Sequence, residues 1–191
     1  MRFLPMLVLP ALLAASPVPH VTRYTLHVAL DPAAHRITVE GTVWRPSSRP
    51  VEFHDSKTID HPIAKEGEDY ARGFAETEGT IQTEGVFLSG TSQWYPAPAE
   101  GTLVTFDLEV TLPAGWDAMS QGSRQILERG ATRTRVRFIA NDPQEEIWLV
   151  AGPWNETERT VEGIETLALL RSPDDALAAK YLDATGPYIA M

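Results

Sequence analysis

The chain holds five histidines, His20, His27, His35, His54 and His61, and no cysteine. Disulfides, thiolate-held zinc, iron–sulfur clusters and thiol nucleophiles are therefore excluded. The spacing His-Glu-x-x-His, which puts two imidazoles on one helix face beside a general base, does not occur. His54-Asp55 and Asp60-His61 flank a short polar stretch and have the atoms to ligate a metal, but a pair of such dipeptides reads as exposed loop residues. Gly-x-Ser-x-Gly is absent; Ser89 has Phe87 where the first glycine of a nucleophile elbow belongs. No Gly-x-Gly-x-x-Gly or P-loop occurs.

Carboxylates cluster at Glu66, Glu68 and Asp69, and again at Glu76, Glu78 and Glu84. A glycosidase needs two carboxyls at a fixed separation, and nothing here sets one, so these residues read as a solvated face. The five tryptophans could stack on sugars; in a β fold they more often fill a core or an interface. Asn155-Glu156-Thr157 fits a glycosylation sequon. The residues alone thus supply no catalytic, cofactor-binding or metal-ligating set. The formal net charge of -10 disfavours nucleic acid and anionic membrane surfaces as partners.

The elements around these residues read mostly as strands. Met1-Arg2, the apolar run Phe3 to Ala15 and the small residues Ala14-Ala15-Ser16 form a secretory signal peptide over residues 1–19. The run is too short to span a membrane, and Pro5 and Pro10 interrupt it. Secretion or export to a periplasm follows, with an uncleaved membrane anchor as the alternative.

Tyr24, Leu26, Val28 and Leu30 alternate on one strand face, Asp31-Pro32-Ala33-Ala34-His35 turns the chain, and Ile37, Val39 and Val43 return it as a hairpin. Residues 51–85 carry weak patterning that suits one or two short edge strands. Val86-Phe87-Leu88 is a short strand, followed by a loop holding Trp94-Tyr95-Pro96. Val104, Phe106, Leu108, Val110 and Leu112 mark a strong half-buried strand. Another starts at Trp116. Thr132 to Ala140 alternates again, and the apolar run Ile147 to Ala151 is its expected partner. Trp154–Val161 and Ile164–Leu170 form a last pair about Glu162-Gly163. The expected body, residues 20–171, is a mainly β, antiparallel sandwich or saddle-like sheet domain. Residues 172–191 read as a C-terminal helix with Ser172 as cap, Pro173 at the first position and Asp175 completing the box.

Several of these segments together resemble the N-terminal domain of aminopeptidase N-like zinc metallopeptidases of the M1 family. They are Gly85-Val86-Phe87-Leu88-Ser89-Gly90 with Trp94-Tyr95-Pro96, the run from Thr105 through Pro113-Ala114-Gly115-Trp116 into Ser120-Gln121-Gly122, and Ile147-Trp148-Leu149-Val150-Ala151-Gly152. Leu169-Leu170-Arg171-Ser172-Pro173 into Tyr181-Leu182 resembles the link to the helix that opens the catalytic domain. The resemblance covers roughly residues 60–191, and 21–45 more loosely. It implies a β domain that precedes a thermolysin-like catalytic domain, which it packs on and whose substrate cleft it shapes.

By the same resemblance, zinc and the peptide substrate belong to that catalytic domain. Its Gly-x-Met-Glu-Asn and His-Glu-x-x-His motifs do not occur in these 191 residues. The expectation is a non-catalytic domain, inactive alone, with no cofactor of its own. Two departures from the family pattern stand out. Pro46 to Asp60 is abbreviated, and Gly186-Pro187 falls where the family helix continues. No substrate-contacting residue carries over. The other reading is a self-contained secreted β-sandwich binding module for a carbohydrate or a protein. That module would bury Leu177, Tyr181 and Leu182 on its own sheet, whereas a domain made for a larger enzyme would leave them uncovered.

Overall fold

A computed structural model describes residues 21–61 and 79–189. The expected signal peptide, His20, and the acidic residues Glu66, Glu68, Asp69, Glu76 and Glu78 lie outside the described residues. Among the described residues no helix is long and apolar enough to cross a membrane.

The first hairpin joins β1 (Val21–Asp31) to β2 (Arg36–Trp44), with Tyr24 opposite Val43 and Leu30 opposite Ile37. Its turn is built by Asp31, whose Oδ1 accepts the Ala34 N–H at 3.2 Å, and by Pro32, which starts a single 3-10 turn. His35 closes the turn at φ 53°, a left-handed conformation that histidine tolerates better than most residues. Further strands are β3 (Val51–Thr58), β4 (Thr80–Gln82), β5 (Gly85–Leu88), β6 (Leu103–Pro113), β7 (Asp117–Met119), β8 (Ser123–Arg129), β9 (Arg133–Gln144) and β10 (Leu149–Gly152).

They form a six-stranded sheet in the order β3-β2-β1-β6-β9-β8 and a four-stranded sheet in the order β4-β5-β10-β7. The fold is mainly β, as expected, but the large sheet is mixed: β1 lies parallel to β6. β3 and β4 are the two short edge strands expected between residues 51 and 85.

The inner faces of both sheets share one apolar core. Val104, Phe106, Leu108, Val110 and Leu112 of β6 are all buried. They meet Val136 and Phe138 of β9 and Tyr24, Leu26 and Val28 of β1, while Ile81, Val86, Leu88 and Leu149 enter the core from the four-stranded sheet. Each such side chain contributes roughly 1.5–3 kcal/mol on burial.

One pairing differs from the sequence expectation. The partners of β9 are β6 and β8, while β10 sits in the other sheet between β5 and β7. The continuous run Ile147–Ala151 serves a short central strand of the smaller sheet, not the edge of the larger one. β8 carries no alternation to announce it, because a bulge between Ile126 and Glu128 breaks its register. It reaches β9 through Gly122, which has φ +87°, and a Cβ there would stand 2.3 Å from the Ile139 carbonyl oxygen.

After the sandwich comes a separate hairpin, β11 (Asn155–Val161) with β12 (Ile164–Leu170), turned by Glu162 and Gly163 at φ 49° and 80°. Consecutive positive φ values match the twist of a two-residue hairpin. The helix α1 (Asp175–Ile189) follows. Its cap is Asp174, whose Oδ1 accepts the Leu177 N–H at 2.9 Å, in place of the expected Ser172. Pro173 disfavours helical geometry at the residue before it, so the helix starts later, where Asp174 and Asp175 face the positive end of its dipole. α1 runs through Gly186-Pro187 instead of ending there.

Candidate functional site

Among the described residues the most buried ion pair sits where the two sheets and the hairpin converge. Asp117 on β7 accepts from Arg124 at 2.6 Å and Arg129 at 2.7 Å, both on β8, and from the Ala118 N–H at 2.8 Å. Arg124 also donates to Glu156 of β11 at 2.6 Å. The Asp117 and Arg124 side chains are 4% and 11% exposed. Burial pushes the Asp117 carboxyl up, but the hydrogen bonds from Arg124, the Ala118 N–H and Arg129 outweigh it and hold the group below the usual carboxylate range. Burial alone pulls the Arg124 guanidinium down; its bonds to Glu156 and Asp117 raise it beyond its ordinary value. Each charge is matched, so this cluster is a strut between elements and has no free acid or base to lend.

The outer face of the large sheet is a ladder of cross-strand pairs. Arg137 donates to Asp107 at 2.7 Å, Arg135 to Glu109 at 2.9 Å, and Arg133 to Glu128 at 2.9 Å. The Arg137 hydrogen bond holds the Asp107 carboxyl below its ordinary range. The expected facing of Arg133, Arg135 and Arg137 to one side is what builds this ladder.

The histidines are scattered. His54 lies beside Glu40 at 3.6 Å on the outer face, where His27 also stands opposite Glu40, along an open depression of about 490 Å³. His35 donates its Nδ1 proton to the Ile81 carbonyl at 2.8 Å and lies 3.5 Å from Asp60. The His61 carbonyl accepts from Gln82 at 3.1 Å. His54-Asp55 and Asp60-His61 are thus not brought together. Among the described residues no three His, Asp or Glu side chains gather where they could hold a metal ion.

Ser89 bonds Thr91 at 2.7 Å. Trp94 and Trp116 are core residues, while Trp44 at the end of β2 and Trp148 just before β10 are exposed. Asn155 of the sequon is exposed, its amide donating to the Leu170 and Arg171 carbonyls, both at 3.3 Å.

Sequence reasoning missed the outer face of the four-stranded sheet. Phe87, Val150 and Met119 stand side by side across β5, β10 and β7. Phe87 is 40% exposed, and Trp148, just before β10, is 49% exposed. Trp148 is held in place: its indole N–H donates to Glu146 at 2.7 Å, its backbone N–H donates to Gln121 at 3.0 Å, and its carbonyl accepts from Ser120 at 2.6 Å. Glu146 is itself anchored by the Gly90 N–H at 2.6 Å. An exposed indole pinned beside an apolar row is a pre-organised contact surface, unlike the charged ladder on the opposite side of the sandwich. The signal was available: Phe87 lies between the inward-facing Val86 and Leu88.

The helix divides the three residues that distinguish the two readings. Leu182, with Ala178, is buried against Ala168 and Leu170 of the hairpin, whereas Leu177 and Tyr181 stay exposed, as does Tyr188.

No family model and no curated protein matches the chain. Solved structures similar to it include an M1 zinc metallopeptidase mutant from Deinococcus radiodurans, crystallised with a Tyr-Ser-Ala substrate. The two are 12% identical with a TM-score of 0.48 over 83% of this chain and 49% of the other. The chain spans about half the length of that structure.

Proposed function

We propose that this chain is a non-catalytic β domain of a secreted zinc aminopeptidase, packing on a thermolysin-like catalytic domain that these 191 residues do not encode. The observation that carries the reading is the one-sided surface. Phe87, Val150, Met119 and the pinned Trp148 form an apolar outer face, while the other outer face carries the ion-pair ladder, with Trp44 beneath the Arg23 guanidinium toward its other side. A domain that lives against a partner has reason for this asymmetry. The segments that resemble the M1 N-terminal domain, including Gly85 to Gly90 and Ile147 to Gly152, are the ones that build this face. In this role the domain walls one side of a peptide cleft. The zinc and the activated water belong to its partner.

The test pairs this chain with an aminopeptidase N-like catalytic domain produced without its own β domain. The chain alone binds no stoichiometric zinc and does not turn over aminoacyl-anilides. Added to the catalytic domain it forms a complex, and Phe87→Asp or Trp148→Asp weakens that complex by at least ~10-fold, the scale of an interface hot spot. Chelator-sensitive turnover by the chain alone, or unchanged binding by both variants, overturns the reading.

A further inference from the structure

Glu146 is a half-buried carboxylate held by N–H donors that carry no charge. Its Oε2 accepts the Gly90 N–H at 2.6 Å, and its Oε1 accepts the Trp148 indole N–H at 2.7 Å. Among the described residues no lysine, arginine or histidine pairs with it. Two donors converge on one side chain, and only a carboxylate accepts from both; a glutamine would turn its own NH2 toward one of them. The backbone here is anchored on two sides: the Ile147 N–H donates to the Tyr95 hydroxyl at 3.1 Å, and the Glu146 carbonyl accepts from Gln121 at 2.9 Å. Gly90 leaves the room, since a Cβ there would stand 2.6 Å from Glu146 Oε2. Yet the Trp148 ring is 49% exposed, where water would serve its N–H as well. The bond gains its value when something covers the ring, because an indole buried with its N–H unpaired bears the full cost of desolvating that group.

We propose that Glu146 is a positioning residue that keeps the Trp148 N–H satisfied inside the chain, so that this face docks the indole into a wholly apolar pocket of its partner. The inference rests on the docking role given above to the outer face of the four-stranded sheet, and it names the chemistry of the receptor. That pocket is lined by aliphatic, methionine or aromatic side chains and offers the indole no carbonyl or carboxylate. Phe87, Val150 and Met119 beside Trp148 extend the same apolar contact across β5, β10 and β7. Glu146 thereby makes an amphipathic ring behave as an apolar one.

Two measurements test it, one without any partner. In the free full chain, NMR compares water exchange of the indole N–H of Trp148 with that of Trp44, which is also exposed. The Trp148 proton exchanges at least ~10-fold more slowly, the scale of one hydrogen bond to a charged acceptor. Glu146→Ala abolishes the difference, and so does Gly90→Ala, whose Cβ displaces the carboxylate. Equal rates for the two indoles in the native chain overturn the inference, and that comparison needs no variant to fold. The second measurement is a double-mutant cycle on binding to the aminopeptidase N-like catalytic domain. Glu146→Ala weakens the complex by ~5–10-fold when residue 148 is Trp, and by less than ~2-fold in Trp148→Phe, which has no N–H to satisfy. An equal loss in both backgrounds assigns Glu146 a merely structural role and overturns the inference. A slow Trp148 proton in a native chain that does not bind the catalytic domain overturns the docking role, and the receptor pocket with it, while the clasp stands.

Discussion

Replacing Asp117 by Asn leaves shape and one carbonyl acceptor but removes the charge that two guanidinium groups share. Breaking a buried ion pair outright costs about 3–5 kcal/mol. Two features reduce that here. Arg129 is 51% exposed, so its share is that of a surface pair, about 0–1 kcal/mol. Arg124 keeps Glu156 as a partner. What is left is one nearly dry charged contact, and a loss of about 2 kcal/mol is expected. With a urea slope of ~2 kcal/mol/M, the midpoint falls by ~1 M while the slope stays the same. Tryptophan fluorescence and far-UV circular dichroism should report the same transition. Asp117 titrates lower in the folded chain than in the unfolded one. Its stabilisation is therefore complete at neutral pH and drains away as pH falls below about 4. The gap between the native chain and Asp117→Asn should close over that acid range. A loss under ~0.5 kcal/mol at neutral pH, of the size of an ordinary surface substitution, or a gap that persists undiminished in acid, would refute the reasoning.

Three further outcomes are expected. Gly122→Ala forces a Cβ against the Ile139 carbonyl at a positive φ, and calorimetry should show Tm lowered by ~5–10 °C. Tyr24→Phe removes a 2.7 Å hydrogen bond to the Pro96 carbonyl and should cost about 1 kcal/mol at neutral pH by urea denaturation. Burial raises the Tyr24 phenol, so the folded chain keeps that proton while the unfolded chain releases it above about pH 10. Stability lost to this group on the alkaline side should be missing in the variant, and a pH series of melting curves measures the difference. Asp174→Ala removes the helix cap; a local loss of about 1 kcal/mol should appear as faster exchange of the Leu177 amide, with the Ala178 and Leu182 packing retained.

The strands that were legible in the sequence are those with one wet and one dry face. β1, β2, β6 and β9 alternate because the sandwich core touches one side of each, and Tyr24, Phe106 and Phe138 mark that side. Which strand pairs with which was not legible where both candidates are apolar. Ile147–Ala151 fits the edge of either sheet by composition, and only the chain path through Glu146 and Gln121 sends it to β5 and β7. β8 hid because its bulge puts Ile126 and Leu127 side by side in sequence. The candidate surface was half visible: Trp148 and Phe87 lie in recognised segments, but their exposure depends on what packs beneath them. The charged cluster was invisible, since Asp117, Arg124, Arg129 and Glu156 come from three elements and no spacing rule connects them.

The parallel seam between β1 and β6 has a consequence for how the chain folds. Tyr24 meets Phe106 across that seam, about 80 residues further along, so the open edge of β1 must wait for a distant central strand before it is paired. Until then Leu26, Val28, Ile37 and Val39 stand open on the β3-β2-β1 ribbon, whose β1 edge offers unpaired backbone groups to a stranger. Refolding should accordingly be slow, on the ms–s scale of topologies dominated by distant contacts, with yield falling as concentration rises. A cell making this protein meets that hazard on every nascent copy, for as long as the ribosome takes to reach Leu112.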